Sequence, residues 1–352
     1  MSEITIKDIA REAGVSTATV SYVINNTKRV LPEKRQRVLN VIAKTNYQPD
    51  RVAKSLRTRK TNTIGVLSEG IMDFPTVDII NGISSYVEQT DYQILLSDLR
   101  MLDRLFNRYD QVVHQKDKIN KAMSYLVYGA KVDAVIYLGM FDRDITGIIS
   151  DMNKPLVVAY CTSDDEFACS VTYENEDVAA SLTQHLFDFG HERIAVITGL
   201  AHTAPAQKRL CGIQNAFKKN GRTLDEKMIK GGDWERDSGY SCMKELLQLS
   251  DELRPTAVMA MNDLMAAGAM DAIREANLRI PEDISIVGFD NREVCEFVYP
   301  KLTTAAIDLE AIGYTAAEVA MHKLNGNGKY KDTNNIIVPS KLVLRNTVKK
   351  II

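Results

Sequence analysis

Near the start of the chain, TIKDIAREAGVSTATVSYVINN (residues 5–26) carries hydroxyls and small side chains at helical spacing. At about 100° per residue, Thr17, Ala18, Ser21 and Tyr22 share one face of a short helix, while Val20 and Val23 point the other way with Val15 before them. One face packs and the other is free to enter a groove, where its chemistry is hydrogen bonding. Thr5, Ser16, Thr19, Ser21 and Asn25 carry hydroxyl or amide groups suited to phosphate oxygens, contacts that set register on a duplex without reading its sequence. Thr5 and Ser16 have a competing use as helix N-caps, with Asp8 completing a capping pair and Gly14 at the sharp turn between two helices. The spacing is that of a DNA-binding helix-turn-helix. An ordinary helical hairpin inside a larger core is the alternative, and the small polar outer face and basic surroundings disfavour it.

Covalent chemistry finds no foothold. The chain has no G-x-S-x-G, GxxxxGK[ST], H-E-x-x-H or G-x-G-x-x-G motif, and His114, His185, His191, His202 and His322 show no ligand spacing. His191, in the turn GHERI, reads as a capping residue. Cys161, Cys169, Cys211, Cys242 and Cys295 are scattered without CxxC pairing and read as reduced, mostly buried thiols. No cofactor, metal or enzymatic activity is expected.

The elements that must hold the polar face follow in order. Pro32 opens a third helix running to about Thr45, with Val38, Leu39 and Ile42 at helical spacing, so residues 1–48 make a three-helix head. Residues 49–60 contain a basic stretch too short to be a stable helix alone. It is either a disordered linker or a hinge that folds on DNA, with Leu56 as an apolar wedge for a minor-groove step. Residues 1–60 carry a net charge of +8 and the remainder −10, so a near-neutral total of −2 hides a basic head on an acidic body. A head of that sign suits a polyanion.

The body, residues 61–352, alternates short apolar runs with segments long enough for helices: 64–67, 93–96, 134–138, 156–159, 193–198, 257–260 and 284–288. Buried strands alternating with helices imply parallel sheets covered on both faces. There are too many for one modest sheet, so the expected architecture is an all-α helix-turn-helix head on an α/β body of two doubly wound lobes. Ligands in such sheets bind beyond the carboxyl ends of the strands, which converge on a cleft between the lobes. No apolar run approaches the roughly 20 residues of a membrane span, and MSEITIKDIAREAG lacks the regions of a secretory signal. A cytoplasmic protein with no membrane partner is expected.

The runs TIKDIAREAGVSTATVSYVIN, NYQPDRVAKSLR and TNTIGVL resemble the head, hinge and first body strand of the lactose-repressor/galactose-repressor (LacI/GalR) family of bacterial transcription factors. Further matches follow collinearly in DFGHERIAVITG, RLCGIQNAF, PTAVMAMNDLMAAGAM, IPEDISIVGFDN and PKLTTAAID. The resemblance implies a body similar to periplasmic sugar-binding proteins. Its chain would cross between lobes three times, the last two near Thr304 and around Leu324 to Tyr330. Lobe one would then hold about 61–170 and 305–325, and lobe two about 171–304 and 326–352.

The resemblance also implies that Thr17, Ala18 and Tyr22 read base edges, although many relatives carry Arg where this chain has Tyr22, and a bidentate guanine contact is lost there. It places Arg209, Asn262 and Asp290 at effector-binding positions, and the three suit a polyol because each presents paired hydrogen-bonding atoms. Asn262 as a helix cap and Asp290 as a turn residue are the competing readings. Trp234, the sole tryptophan, can cover the apolar face of a sugar ring, and Tyr160 stands where several sugar-responsive relatives have an acid. Residues 98–131 run several positions longer than usual, with Leu102, Leu105, Phe106, Tyr109, Val112 and Val113 in an amphipathic pattern that either reshapes the pocket or extends a packing helix.

The expectation is a sequence-specific transcriptional regulator, a repressor, binding a pseudo-palindromic double-stranded operator as a homodimer and controlled by a small-molecule effector, a carbohydrate. VLRNTVKKII has no leucine heptads for a tetramer tether. Two alternatives stand beside this: a periplasmic-type solute-binding protein, and a regulator controlled by a protein partner. Tyr299 replaces the basic contact that such protein-controlled relatives carry.

Overall fold

Thr5 starts the first helix, α1 (Ile6–Ala13), by exchanging hydrogen bonds with Asp8, and Gly14 ends it in the left-handed conformation at φ 63°. Then come α2 (Thr17–Asn25) and α3 (Pro32–Thr45), the latter opened by the expected proline. Ile9, Ala10, Ala13, Val20, Val23, Val38 and Val41 form the common core. Leu39, expected there from its spacing, is instead exposed, because Val38 and Val41 occupy the inward stripe one turn apart and Leu39 falls outside it.

In the computed structural model, residues 4–25, 28–47, 60–101, 112, 114–326, 330 and 333–351 are described. They fall into two units, residues 1–62 and 63–352, each described by itself. Leu56 lies outside the described residues, as do Leu102, Leu105, Phe106, Tyr109 and Val113 of the longer segment. Of that segment, Val112 is buried and Lys116–Ser124 is a helix running into a π-turn at Tyr125–Gly129.

The body holds two six-stranded sheets. The first is built from β1 (Thr63–Ser68), β2 (Gln93–Asp98), β3 (Ala134–Leu138), β4 (Leu156–Ala159), β5 (Ala168–Tyr173) and β11 (Asn335–Val338), in the order β11-β5-β4-β3-β1-β2, all parallel. The second contains β6 (Ile194–Thr198), β7 (Ile229–Gly231), β8 (Ala257–Ala260), β9 (Ser285–Asp290), β10 (Thr303–Ala306) and β12 (Lys341–Val343), in the order β12-β10-β9-β8-β6-β7, with β12 antiparallel. The chain therefore passes between lobes at 174–175, at 307–308 and at 339–340. The third passage differs from the expected Leu324–Tyr330 because β11 pairs with β5, Asn335 opposite Ser170, and so stays in the first lobe. Residues 171–173 belong there too, as the end of β5. The outer passages are tied together where Ser340 Oγ donates to Glu174 O at 3.3 Å.

Helices cover the sheets in close pairs. In lobe one, Thr76–Val87 crosses Leu309–Leu324 with glycine on both sides of the contact: a Cβ at Gly82 would stand 2.0 Å from Glu310 O, and one at Gly313 1.9 Å from Ile79 O. In lobe two, Arg236–Leu247 meets Asp263–Glu275 in the same way through Gly239 and Gly268. Backbone in contact with backbone leaves no slack, so Gly313→Ala must push the pair apart. It should destabilise the protein by about 1–3 kcal/mol, read as a lower denaturant midpoint. An unchanged midpoint would show that the pair has room to slide.

Candidate functional site

Helix α2 turns Thr17 and Ala18 to solvent with Ser21 and Tyr22 half-exposed beside them, while Val20 and Val23 are buried. Lys28 Nζ lies 5.1 Å from the Tyr22 ring centroid, which sets a positive charge against that face. Thr5 is engaged locally: its hydroxyl donates to Asp8 Oδ2 at 2.6 Å and its amide to the same oxygen at 3.1 Å. Ser16 accepts from the Thr19 amide at 3.2 Å, with the two hydroxyls 2.9 Å apart. Both hydroxyls act as caps, and both remain at exposed helix N-termini, where partial positive charge favours an anion. Asn25 is the last residue of α2.

In the body, a cavity of about 290 Å³ opens between the lobes, and Tyr160, Arg209, Trp234, Asn262 and Asp290 all line it. Most stand just past strand ends, Tyr160 after β4, Asn262 after β8 and Asp290 at the end of β9, as the sheet topology requires. Asp73, Phe74, Phe141, Tyr173, Glu235 and Arg292 are also among the lining residues, and no sequence motif singles them out.

Arg209, on the helix Ala204–Lys219, is 3% exposed. Its Nε donates to Asn175 Oδ1 at 2.9 Å, one Nη to Met261 O, and the other to Asp290 Oδ1 at 3.2 Å. The guanidinium carbon stands 3.5 Å from the Phe289 ring centroid and 5.6 Å from that of Trp234. Arg209 and Asp290 thus meet directly. A guanidinium at this depth needs a counter-charge whether or not a ligand is present. Burial raises the carboxyl of Asp290, and Arg209 and Arg292 oppose that rise.

Asn262 has both roles open to it. Its Oδ1 caps the helix Asp263–Glu275 by accepting from Met265 N at 2.8 Å, and its Nδ2 donates to Trp234 O at 2.7 Å. That second bond reaches the carbonyl of Trp234, whose own backbone is left-handed at φ 79°. Tyr160, also left-handed at φ 63°, is buried and stacks on Tyr173 with centroids 4.8 Å apart. Burial, reinforced by Tyr173 and Asp290, keeps its phenol protonated.

Three contacts bridge the lobes around the cavity. Lys208 Nζ donates to Asp142 Oδ2 at 2.6 Å, and Asn175 Nδ2 to the same oxygen at 2.9 Å, so a continuous chain runs from Lys208 through Asp142 and Asn175 to Arg209. Across the cleft, the Arg292 guanidinium sits 4.2 Å from the Phe74 centroid. Below Asp290, Asp263 is fully buried, accepting from Thr304 Oγ1 at 2.6 Å and from Arg292 N at 2.7 Å. Burial and the nearby Asp290 push its carboxyl up to about 7. His191 does cap, through its backbone: its N–H donates to Leu186 O at 3.1 Å beyond the left-handed Gly190, ending the helix Glu176–Asp188, and its ring bridges Thr256 Oγ1 at 3.1 Å and Lys349 O at 3.0 Å, fastening the C-terminal segment to lobe two.

A helix-turn-helix unit and a two-lobed α/β unit with a polar, aromatic-walled cleft define a ligand-responsive DNA-binding protein. Residues 5–50 match the bacterial regulatory proteins of the lacI family, and residues 183–348 match the periplasmic binding protein-like domain. The chain is 32% identical over 352 residues to the HTH-type transcriptional repressor PurR of Vibrio vulnificus, covering 99% of each, and 29% identical over 347 residues to PurR of Photobacterium profundum, covering 98% of each. A crystal structure of the Lac repressor dimer bound to operator and the anti-inducer ONPF matches with a TM-score of 0.76 at 27% identity, over 99% of this chain and 100% of that one. The chain belongs to the lacI family of bacterial regulatory proteins. It is a DNA-binding transcriptional regulator controlled by a small molecule, and not an enzyme. Among the described residues no helix is long and apolar enough to cross a membrane.

Asp263 gives this site a pH signature. Its folded value lies above the ordinary carboxylate value of 3.8, so folding takes up a proton. The stability this contributes is full below about pH 4 and is lost as pH rises through about 7. Asp263→Asn should therefore flatten the fall of the thermal midpoint between pH 5 and 8 relative to the parent protein. Parallel slopes in the two proteins would contradict this.

Proposed function

We propose that the protein represses transcription in the cytoplasm as a homodimer on a pseudo-palindromic operator, and that a sugar or sugar derivative binds in the interlobe cleft to change that binding. The observation that carries this is the Arg209–Asp290 pair, buried and yet lining the cavity among five aromatic side chains. A cavity of about 290 Å³ lies at the small end of ligand pockets and suits a mono- or disaccharide. Arg209, Asn262, Asp290 and the Tyr160 hydroxyl supply the polar contacts, and Trp234 covers an apolar ring face. In the head, Thr17, Ala18 and Tyr22 read base edges. Thr5, Ser16, Thr19, Ser21 and Asn25 engage phosphates, and Leu56 enters the minor groove between the half-sites. The relatives that share the whole length of this chain are named as transcriptional repressors, and the Lac repressor structure is a dimer on its operator.

The mechanism follows from what a ligand must disturb. Hydroxyls that hydrogen-bond Asp290 and Arg209 compete with the bonds joining Arg209 to Asn175, and Asn175 sits at the first passage between lobes and holds Asp142. The ligand therefore favours one angle between the lobes over another, and operator and effector influence each other's affinity reciprocally.

Because Asp290 also balances Arg209, the informative change keeps its shape and removes its charge. Asp290→Asn should lower effector affinity by about 10- to 100-fold and abolish the effector response in operator-binding anisotropy, while the protein still folds and still binds operator. A full effector response in Asp290→Asn would move the ligand elsewhere.

A further inference from the structure

Asn175 stands at the N-cap of the helix Glu176–Asp188, where an asparagine side chain ordinarily accepts from the first free amides of the helix. Here it makes no such bond. Its Oδ1 accepts from Arg209 Nε at 2.9 Å and its Nδ2 donates to Asp142 Oδ2 at 2.9 Å, so the side chain is given over to the junction between lobes. Such departures from local rules concentrate at functional positions.

The partners of that side chain belong to two rigid parts. Lys208 and Arg209 lie on the helix Ala204–Lys219, which meets Glu176–Asp188 backbone to backbone: a Cβ at Gly212 would stand 2.1 Å from Glu176 O. Lys208, Arg209 and Asn175 therefore move together with lobe two. Asp142 belongs to lobe one, in the loop beyond β3, and its neighbour fixes it there: Arg143 pairs with the buried Glu69, and Arg143 O accepts from Thr162 N at 2.8 Å. A change of angle between the lobes falls first on the two bonds that Asp142 Oδ2 accepts, from Lys208 Nζ at 2.6 Å and from Asn175 Nδ2.

That junction is poised rather than locked. The Asp142 side chain is 1% exposed, and its other oxygen, Oδ1, is buried with no hydrogen bond among the described residues. A buried acceptor without a donor carries a desolvation cost that water removes when the lobes part. This offsets part of what the Lys208 and Asn175 bonds contribute, so the free-energy gap between two lobe angles narrows. Neither Asp142 nor Lys208 lines the effector cavity.

Resting on the cleft reading above, we propose that Asp142, Asn175 and Lys208 form a latch that sets the resting angle of the lobes without touching the effector, and that the effector acts by releasing it. A ligand that draws Arg209 away from Asn175 leaves Asn175 free to turn from Asp142, and Lys208 alone then holds the carboxylate. Lys208 is thus a positioning residue. Removing its charge favours the released arrangement, which the effector binds more tightly.

The test compares the full-length parent with Lys208→Met, Lys208→Arg and Asp142→Asn. Operator affinity is read by anisotropy on a duplex selected with the parent protein from a randomised pool. Effector affinity is read by calorimetry with the tightest binder from a panel of hexoses, disaccharides, hexose phosphates and nucleobases. Without effector, Lys208→Met and Asp142→Asn should shift operator affinity toward the value that the parent shows at saturating effector. Both should also bind the effector about 3- to 10-fold more tightly. Lys208→Arg keeps the charge and should stay with the parent. A merely structural contact would lower the thermal midpoint without this linked change in two affinities. Unchanged affinities in both variants, or weaker effector binding with operator affinity displaced the other way, would overturn the latch and leave the cleft reading intact. A panel in which nothing binds, or binds without changing operator affinity, would remove the cleft reading and the latch together. If Asp142→Asn fails to fold, Lys208→Met decides, since the Lys208 side chain is 46% exposed. If that variant also fails to fold, the contact is structural and the proposal falls.

Discussion

A guanidinium buried to 3% exposure is the constraint on which the body of this protein depends. Left alone at that depth, the charge of Arg209 would cost far more than the protein's net stability. The surrounding chain is arranged to supply acceptors: Asn175 from the first passage between lobes, Met261 O from the end of β8, and Asp290 from the end of β9. Phe289 lies against its face. These segments are far apart in sequence and share only the fact that parallel strands bring their carboxyl ends to one edge. The same arrangement leaves Asp263 buried under Asp290, where two carboxyls so close do not both ionise freely, and Thr304 and the Arg292 amide take up its oxygens.

Around this centre each lobe is tightly packed, and the two lobes join through short passages. Helices packed backbone to backbone through Gly82 and Gly313 in one lobe, and through Gly239 and Gly268 in the other, have little freedom to repack. The lobes are joined by three short passages and by the contacts Lys208–Asp142 and Arg292–Phe74. Rigid lobes on short passages respond to a ligand by changing their relative angle, and only to the extent that the ligand prefers one angle. The bridging chain from Lys208 to Arg209 passes through Asn175, so the arginine proposed to bind the ligand and one interlobe clasp share a residue.

Much of this is legible in the sequence because it rests on local rules. The capping pair of Thr5 and Asp8, the turn at Gly14 and the proline opening α3 are short-range signals, and the head follows from them. Long apolar strands such as 134–138 and 156–159 announce themselves. Strand β5, ACSVTY, does not, because its polar residues look like a loop until neighbours on both sides bury them. Strands β10, β11 and β12 are short and take their identity from pairing partners, and the third passage between lobes lies beyond where the family resemblance puts it. The lobe-two site residues are found through the family pattern. Asp73 and Tyr173 are not, since a turn aspartate and a strand-end tyrosine acquire meaning only when the second lobe faces them. That Arg209 pairs with Asp290 is likewise a fact of three dimensions, between residues 81 positions apart.

The central claim is that the ligand read by Arg209 in the cleft is the ligand that changes operator binding. Trp234 is the sole tryptophan and lies 5.6 Å from the Arg209 guanidinium, so its emission reports that site alone. The decisive measurement follows Trp234 emission and operator anisotropy in one titration of effector into the protein–operator complex. The account predicts that both signals move together with a common midpoint. An operator response at effector concentrations that leave Trp234 emission unchanged would contradict it.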